Sequence, residues 1–281
     1  MKLLRFGPKG QEKPGCLDAQ GNLRDLSGVS DDFGGDTVAL EALAKLALLD
    51  LETLPIVAQN TRLGAPLAHV PNFYCIGLNY AAHAAETGAE KPKEPLVFSK
   101  ATSSLAGPHD PIIIPKGAAR TDWEVELGIV IGKRALYVDE ADALGYVAGY
   151  CAVNDVSERD FQKNRGGQWI KGKSAPGFGK IGPWIVTADA VPDPQALRLQ
   201  LSVNGQTRQD STTADMIFTV AQIISYMSHF MELVPGDVIA TGTPSGVAAG
   251  MSPPQFLQPG DVVSLTVEGL GTQSADVIAA S

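Results

Sequence analysis

Asp122-Trp-Glu-Val-Glu-Leu-Gly128 is the most informative segment of the chain, because it joins two acids to the start of an apolar run. Alternate side chains of a strand point to the same face, so a strand here places Glu124 and Glu126 side by side. Two carboxylates at that spacing repel each other unless a cation lies between them. Asp155 ends the next apolar stretch, Ala148–Asp155, and supplies a third acid. The three acids predict an all-oxygen site for a hard cation such as Mg²⁺, Mn²⁺ or Ca²⁺ rather than zinc.

The same acids also have an ordinary structural interpretation. A Glu-x-Glu pair occurs on any strand that exposes one face to solvent, and the motif alone does not distinguish the two cases. From the spacing, solvent-facing strand acids therefore remain an open alternative to a metal site.

Bulk composition limits the class of protein. The chain has 281 residues, 44% of them apolar and 6% aromatic, which suits a folded core in one large domain or in a large and a small one. A net charge of −9 argues against a nucleic-acid partner. Three scattered cysteines without a Cys-x-x-Cys pair fit a reducing compartment. Without a signal-like or membrane-spanning apolar run, we expect a cytoplasmic protein with no membrane partner.

Two regions of the chain differ in their pattern of predicted helices and strands. Residues 1–70 predict a small N-terminal α/β domain, in which Asp36-Thr37 offers a cap for a helix over residues 38–51. Residues 71–281 predict a larger domain of short strands punctuated by Gly and Pro, with one helix over Met216–Met231; the resemblance described below implies that this domain is the catalytic one. The predicted fold class is α+β, mostly β, with a rolled or barrel-like antiparallel sheet. The predicted strands are 73–76, 112–114, 125–131, 147–153, 184–187, 197–203, 237–241 and 262–267.

A P-loop pattern, Gly167-Gln-Trp-Ile-Lys-Gly-Lys-Ser174, is present but lacks the context that its mechanism needs. The preceding residues are too polar for a buried strand, and Ala175-Pro-Gly177 cannot begin a helix that would hold a phosphate. We therefore expect no nucleotide binding, and Lys173 is interpreted as an isolated cation on a loop.

One histidine differs from the other three. His83 and Glu86 lie three residues apart in an Ala-rich stretch that predicts a short helix, so they share a face. A carboxylate there can hold one imidazole nitrogen and leave the other free to take a proton from water. An exposed helix pair without function is the alternative that the spacing leaves open. His69, His109 and His229 are expected to be structural.

A Gly-rich loop, Thr241-Gly-Thr-Pro-Ser-Gly246, follows a predicted strand. Its amides and hydroxyls could bind a substrate carboxylate, and an ordinary turn is the alternative.

The order of these motifs resembles that of the fumarylacetoacetate hydrolase family over roughly residues 71–270. The blocks that carry the resemblance are Asn79-Tyr-x-x-His-x-x-Glu86, Asp122-x-Glu-x-Glu126, Asn154-Asp-Val-Ser-x-Arg-Asp160, Gly172-Lys-Ser174 with Ile181-Gly-Pro-Trp184, and Gly242-Thr-Pro-x-Gly246. Within the family, the chain looks most like the hydrolases of 2,4-diketo-3-deoxy sugar acids such as fuconate and rhamnonate derivatives. Ala175-Pro176 departs from the residues that many members carry after Lys-Ser.

The resemblance implies a mixed β-roll, a homodimer, and Mg²⁺ or Mn²⁺ held by Glu124, Glu126 and Asp155. It implies that Lys173 is catalytic together with His83 and Glu86, which would lie on a lid. The residues expected to bind substrate are Tyr80, Gln162, Gly242 and Thr243.

The activity implied is hydrolysis of the C3–C4 bond of an acylpyruvate, a small 2,4-dioxo acid, to pyruvate and a carboxylic acid such as lactate. Hydratases, isomerases, ureidoglycolate lyases and oxaloacetate decarboxylases share the resemblance and are the nearest alternatives. A non-catalytic metal-binding protein is the alternative from another class.

Overall fold

The computed structural model covers residues 1–281 and is built mostly of strands. In chain order, the strands are β1 (Lys2–Phe6), β2 (Lys13–Leu17), β3 (Leu23–Asp25), β4 (Phe73–Gly77), β5 (Leu96–Lys100), β6 (Leu105–Ala106), β7 (Ile112–Ile114), β8 (Thr121–Asp122), β9 (Val125–Ile131), β10 (Val147–Asp155), β11 (Ser157–Glu158), β12 (Gly179–Ile181), β13 (Ile185–Thr187), β14 (Arg198–Val203), β15 (Gln206–Thr212), β16 (Val238–Ala240), β17 (Val262–Val267) and β18 (Gly271–Ala279). The α-helices are α1 (Leu40–Leu46), α2 (Ala81–Glu86), α3 (Arg159–Lys163), α4 (Ile170–Lys173) and α5 (Val220–Ser228). This confirms the α+β, mostly β fold class.

An 11-stranded sheet forms the centre of the molecule, with β9 and β10 in its interior. Every residue of these two strands is buried, which explains why both are nearly continuous apolar runs. Its main path runs β3-β2-β1-β13-β10-β9-β16-β4-β5. The sheet is mixed, because β4 pairs with β16 in parallel and β6 pairs with β12 in parallel. The antiparallel sheet expected from the predominance of strands over helices is therefore wrong at these two pairs, and the mixed sheet implied by the resemblance is confirmed.

A second sheet of five strands, in the order β15-β14-β17-β18-β7, packs on the first. Leu127 of β9 shares one apolar core with Leu201 of β14 and Leu265 of β17. A polar contact joins the two sheets as well: the buried Gln273 side chain donates hydrogen bonds to the carbonyls of Ala152 (2.9 Å) and Gly182 (3.0 Å). The contact fixes the second sheet against the strand that ends at Asp155.

The first 70 residues extend the large sheet. Strand β1 pairs with β13, with Leu3 opposite Ile185, so the N-terminal region shares backbone hydrogen bonds with the rest of the chain. Arg62 adds a two-point ion pair to Asp110, at 2.9 and 2.8 Å. The division into domains at residue 70 stays a prediction.

Two helices are shorter in the structure than the sequence pattern predicts. Helix α5 covers only the middle of Met216–Met231, because Thr219 and Gln222 form a capping box that begins it. Residues before the cap are bonded elsewhere, with the Ile217 N–H donating to the Asn79 carbonyl at 2.7 Å. The helix expected over 38–51 is interrupted: α1 lies between 3₁₀ turns at Gly35–Val38 and Leu51–Thr53.

The proposed Asp36-Thr37 cap does not begin α1. The Thr37 hydroxyl lies 2.8 Å from the carbonyls of Asp32 and Gly34, so it closes the preceding 3₁₀ turn instead. Helix α1 begins after Ala39 and has no side-chain cap. Strand bounds were more predictable, and 112–114, 125–131 and 262–267 coincide with β7, β9 and β17. None of the helices is long and apolar enough to span a bilayer.

The Asn79 side chain ties the end of β4 to the start of α5. Its amide donates to the Phe218 carbonyl (3.0 Å) and the Thr241 carbonyl (2.8 Å), and its oxygen accepts from the Phe218 N–H (2.8 Å). We predict that Asn79→Ala lowers the free energy of unfolding by about 2–4 kcal/mol, because buried backbone groups lose their partners. Urea denaturation followed by circular dichroism measures the loss. Asn164→Ala, which removes only an exposed contact to Asp160, is the control; an equal effect of both changes would contradict the assignment.

Candidate metal centre and active site

Three carboxylates meet where β9 begins and β10 ends. Glu124 directly precedes β9, Glu126 is its second residue, and Asp155 is the last residue of β10. The antiparallel pairing places Val153 opposite Glu126, so the ends that carry the acids are adjacent. One oxygen from each carboxylate lies within 4.8 Å of the others. The three residues are only 4%, 2% and 0% exposed, so the alternative of solvent-facing acids is wrong.

Three buried cations surround two of these acids. The Lys173 ammonium donates to Glu124 Oε2 at 2.7 Å and to Asp155 Oδ2 at 2.6 Å. Lys100, at the end of β5, donates to Asp155 Oδ1, and Arg159 Nη2 lies 2.7 Å from Glu124 Oε1. Lys173 is the last residue of the short helix α4 and is almost fully buried, so its interpretation as a loop cation is wrong.

Charge is distributed unevenly among the acids. Burial alone would raise the pKa of Glu124, but Arg159 and Lys173 more than offset this and lower it. Burial raises the pKa of Glu126 well above its usual value, and the nearby charges of Asp155 and Glu124 add to the effect.

Glu126 is the acid without a cation. Its Oε2 accepts the Gly242 N–H at 2.7 Å, and no lysine or arginine pairs with it. Within this cluster, four buried acids (Asp122, Glu124, Glu126 and Asp155) face three buried cations (Lys100, Arg159 and Lys173), so an ionised Glu126 leaves one negative charge unbalanced. The donor set and the missing positive charge therefore fit a divalent oxygen-binding ion such as Mg²⁺ or Mn²⁺.

The predicted His83–Glu86 pair forms on α2. His83 Nδ1 lies 2.8 Å from Glu86 Oε1, and His83 is only 6% exposed. Glu86 is held from its other side, since its Oε2 accepts the Gly246 N–H at 2.8 Å. Gly250 packs so closely that an added Cβ would lie 2.7 Å from Glu86 Cδ. His83 Nε2 makes no hydrogen bond to the protein, and the alternative of an exposed helix pair is wrong.

A cavity of about 130 Å³ joins the dyad to the acids. Of the predicted site residues, those that line it are His83, Glu124, Glu126, Gln162, Lys173 and Thr243. Glu86 and Asp155 do not line the cavity themselves, but they are hydrogen-bonded to His83 and Lys173, which do. Tyr80 and Gly242 are not among the lining residues: the Tyr80 hydroxyl is buried without a partner, and the Gly242 N–H serves Glu126.

The Gly-rich loop after β16 is anchored to the strand that carries the acids. The Thr243 hydroxyl donates to the Val125 carbonyl at 2.9 Å and accepts from Gln209 Nε2 at 2.8 Å. Gln209 Oε1 in turn accepts the Val125 N–H at 3.0 Å. The loop is thus fixed to Val125, the residue between Glu124 and Glu126. Binding of a substrate carboxylate by this loop stays a prediction.

Sequence reasoning missed four residues that build the site: Lys100, Asp122, Arg159 and Gln209. Asp122 and Arg159 lay inside the quoted motifs but received no role. Arg159 Nε donates to Asp122 Oδ2 at 2.8 Å, which orients the guanidinium toward the acids. The sequence signal for Lys100 is a charged residue at the end of an otherwise apolar strand; Gln209 has none.

The mixed sheet, the buried acidic centre and the adjacent His–Glu dyad are typical of a metal-binding enzyme. Comparison with known proteins identifies its family. The sequence model described as fumarylacetoacetate (FAA) hydrolase C-terminal matches residues 72–278. The chain belongs to the fumarylacetoacetate hydrolase family.

Similar proteins agree with this assignment. A protein of Burkholderia lata, provisionally named a hydrolase, is 59% identical over 274 residues, which is 97% of each chain. The solved structure of a fumarylacetoacetate hydrolase from Exiguobacterium antarcticum is 38% identical with a TM-score of 0.86, covering 100% of both chains. Maleylpyruvate hydrolase from Sphingobium sp. SYK-6, solved with manganese(II) and pyruvate, is 29% identical with a TM-score of 0.82 and the same coverage.

We predict that Glu126→Gln weakens Mn²⁺ or Mg²⁺ binding by about 100-fold or more while the fold persists. Glutamine can still accept the Gly242 N–H, but it removes the one carboxylate that lacks a cation. Isothermal calorimetry measures the affinity and circular dichroism the fold. Glu232→Gln, at an exposed ion pair with Arg134, is the control. A titration of Glu126→Gln that matches the parent would exclude Glu126 as a ligand.

Proposed function

We propose that this protein is a metal-dependent hydrolase that cleaves the C3–C4 bond of an acylpyruvate to give pyruvate and a carboxylic acid. The observation that carries the proposal is the His83–Glu86 dyad, whose free imidazole nitrogen shares a cavity with the three acids. Hydrolysis of a carbon–carbon bond needs a base for water and a positive charge for the enolate, and the cavity brings the two together.

Glu124, Glu126 and Asp155 would hold Mg²⁺ or Mn²⁺, and the manganese in the similar maleylpyruvate hydrolase supports this choice. When bound, such an ion supplies Lewis acidity that stabilises negative charge on the 2-oxo oxygen. Lys173, buried against two of the acids, adds a second positive charge close to where the enolate forms.

His83 carries the proton transfers. Nε2 takes one proton from water, and the resulting hydroxide adds to the C4 carbonyl of the substrate. Glu86 holds Nδ1 and stabilises the imidazolium that forms. The tetrahedral intermediate then breaks its C3–C4 bond and leaves the electron pair on the pyruvate enolate. The proton on His83 returns to C3, so that one water is consumed and its atoms end in the two products.

Gln162 and Thr243 complete the proposed substrate contacts. Gln162 Oε1 accepts from Arg159 Nη1 at 3.2 Å, which leaves its amide N–H groups for a substrate oxygen. Thr243 lines the cavity beside both glutamates. The acyl group beyond C4 is the part that distinguishes sugar acids from other acylpyruvates. In the proposed orientation it contacts cavity residues other than the three acids.

A cytoplasmic homodimer with a small N-terminal domain is part of the proposal. The three free cysteines are all buried, which agrees with a reducing compartment. The dimer and the domain boundary rest on the family resemblance.

Isomerases, hydratases, ureidoglycolate lyases and decarboxylases of the family form the rival reaction class. The protein loaded with Mn²⁺ should release pyruvate and the matching acid from an acylpyruvate, and should convert a 2-oxo-dienoate and oxaloacetate no faster than Mn²⁺ alone does. Product identification by NMR separates these cases, and exhaustive chelation should abolish turnover. Conversion of the dienoate or oxaloacetate alone would favour the rival class. Absence of any turnover would favour a non-catalytic metal-binding protein.

We predict that His83→Ala lowers kcat by about 10²–10⁴-fold, because the general base is lost. Affinity for the metal should stay unchanged, since His83 is not a ligand in the proposal. Stopped-flow or coupled assay of pyruvate release measures kcat, and calorimetry measures metal affinity. His229→Ala, at an exposed histidine bonded to the Ser225 carbonyl, is the control. Near-parental kcat in His83→Ala would remove His83 from the mechanism.

A further inference from the structure

The hairpin formed by α3, α4 and the loop between them is strongly cationic. Residues 159–173 hold five lysines and arginines and a single acid, Asp160, in a protein whose net charge is −9. The hairpin also forms one wall of the cavity, to which it contributes Arg159, Gln162, Lys163, Trp169 and Lys173. Positive charge is thus concentrated beside the site in a chain that is acidic as a whole.

Three of the five cations of the hairpin are neutralised by carboxylates. The two that reach the metal centre pair with its acids, as described above, and Arg165 pairs with Asp160 at 2.9 Å. Lys163 and Lys171 are exposed and have no carboxylate partner, and the Lys171 ammonium donates to the Arg165 carbonyl at 2.6 Å. The hairpin therefore presents two uncompensated positive charges to solvent.

The loops on the other sides of the cavity carry no net charge that would cancel these two lysines. Residues 87–95, which follow α2 and contribute Thr87 to the cavity lining, hold two lysines and two glutamates. Residues 241–251, which follow β16 and contribute Thr243, have no charged side chain. An anion that approaches the cavity therefore meets the hairpin lysines against neutral loops.

Lys163 and Lys171 act on the cavity from different distances. Lys163 lines it, and burial lowers the pKa of its ammonium while the charge of Arg159 lowers it further, effects that a nearby anion would counter. Lys171 does not line the cavity, but it lies two residues before Lys173 in α4, so the two Cα atoms are about 5 Å apart. Since the Debye length is ~30 Å at 0.01 M ionic strength, the charge of Lys171 reaches the cavity at low salt.

We infer that the α3–α4 hairpin is an electrostatic guide that raises the local concentration of small carboxylate anions at the cavity, and that Lys163 and Lys171 supply its field. The inference rests on the proposed function only in that the ligand is a carboxylate anion. A protein of net charge −9 would otherwise repel such a ligand. A local positive potential reverses this repulsion over the last part of the approach, and salt screens it.

The sign of the salt effect on kcat/KM is the first test of the guide. With Mn²⁺ saturating, the parental kcat/KM for 2,4-dioxopentanoate should fall as ionic strength rises from about 0.01 M to about 0.15 M, because salt screens the attraction by the hairpin. A substrate that experiences only the net negative charge of the chain would show a kcat/KM that rises with salt. A coupled assay of pyruvate release measures the effect, and a rise or a constant value would overturn the inference.

Three substitutions at Lys171 separate charge from structure. Lys171→Arg keeps the charge, Lys171→Gln removes it and Lys171→Glu reverses it. At about 0.01 M ionic strength, kcat/KM should be parental in Lys171→Arg and about two- to fivefold lower in Lys171→Glu, with Lys171→Gln between them. The differences should shrink to less than about 1.5-fold at 0.15 M, and kcat should stay unchanged throughout. A similar, salt-independent loss in Lys171→Gln and Lys171→Glu would point to the hydrogen bond with Arg165 alone and would overturn the inference.

Lys45→Glu is the matched control. Lys45 is an exposed lysine of α1 that does not line the cavity, so this change alters the net charge as much as Lys171→Glu does but leaves the hairpin intact. It should keep kcat/KM close to the parental value at every ionic strength. An effect as large as that of Lys171→Glu would assign the salt dependence to net charge rather than to the hairpin, and the inference would be wrong.

Pyruvate binding distinguishes failure of the inference from failure of the proposed function. Calorimetric titration of pyruvate into the Mn²⁺-saturated protein needs no turnover, and at low salt the Kd should rise from the parent to Lys171→Gln to Lys171→Glu. Charge-dependent binding without hydrolysis of an acylpyruvate would contradict the proposed function and leave the guide standing. Hydrolysis with a kcat/KM that is insensitive to the charge at Lys171 would overturn the guide alone. Absence of both binding and turnover would contradict both.

Discussion

Mutual repulsion among three buried carboxylates is the constraint on which the site depends. At an effective dielectric constant of about 20, two charges about 4 Å apart repel by roughly 4 kcal/mol, and Glu124, Glu126 and Asp155 lie within 4.8 Å of one another. Lys100, Lys173 and Arg159 relieve this repulsion for two of the acids, and Glu126 is left over. At the junction of two central strands, Glu126 is therefore the acid at which a proton or a bound cation would relieve the repulsion that remains.

The acidic centre and the His83–Glu86 dyad share one structural support. Asp122 binds Arg159 on one side and accepts the N–H groups of Ala248 and Ala249 on the other, at 2.8 and 3.0 Å. Those residues belong to the loop that also donates its Gly246 N–H to Glu86. The chain of contacts runs from the metal end of the cavity to the dyad without a break. The acids and the dyad are thereby held in a single hydrogen-bonded frame, as the proposed mechanism requires.

Sequence reasoning succeeded where local periodicity controls the structure. The Glu-x-Glu spacing at the start of the apolar run Val125–Ile131 predicted two carboxylates on one face of a strand, and the spacing of His83 and Glu86 predicted their contact. It failed where long-range pairing decides. Lys100 and Gln209 reach the site from β5 and β15, and only the assembled sheets bring these strands to it. The helix predicted over 216–231 was too long because a distant asparagine binds the backbone before its first turn.

Anomalous diffraction from crystals grown with Mn²⁺ would locate the proposed metal ion. We expect one anomalous peak per chain, coordinated by an oxygen of each of Glu124, Glu126 and Asp155 at about 2.0–2.6 Å, the range of hard-cation distances to oxygen. A map with no peak among these carboxylates at saturating Mn²⁺, or with the peak bound elsewhere on the chain, would contradict it.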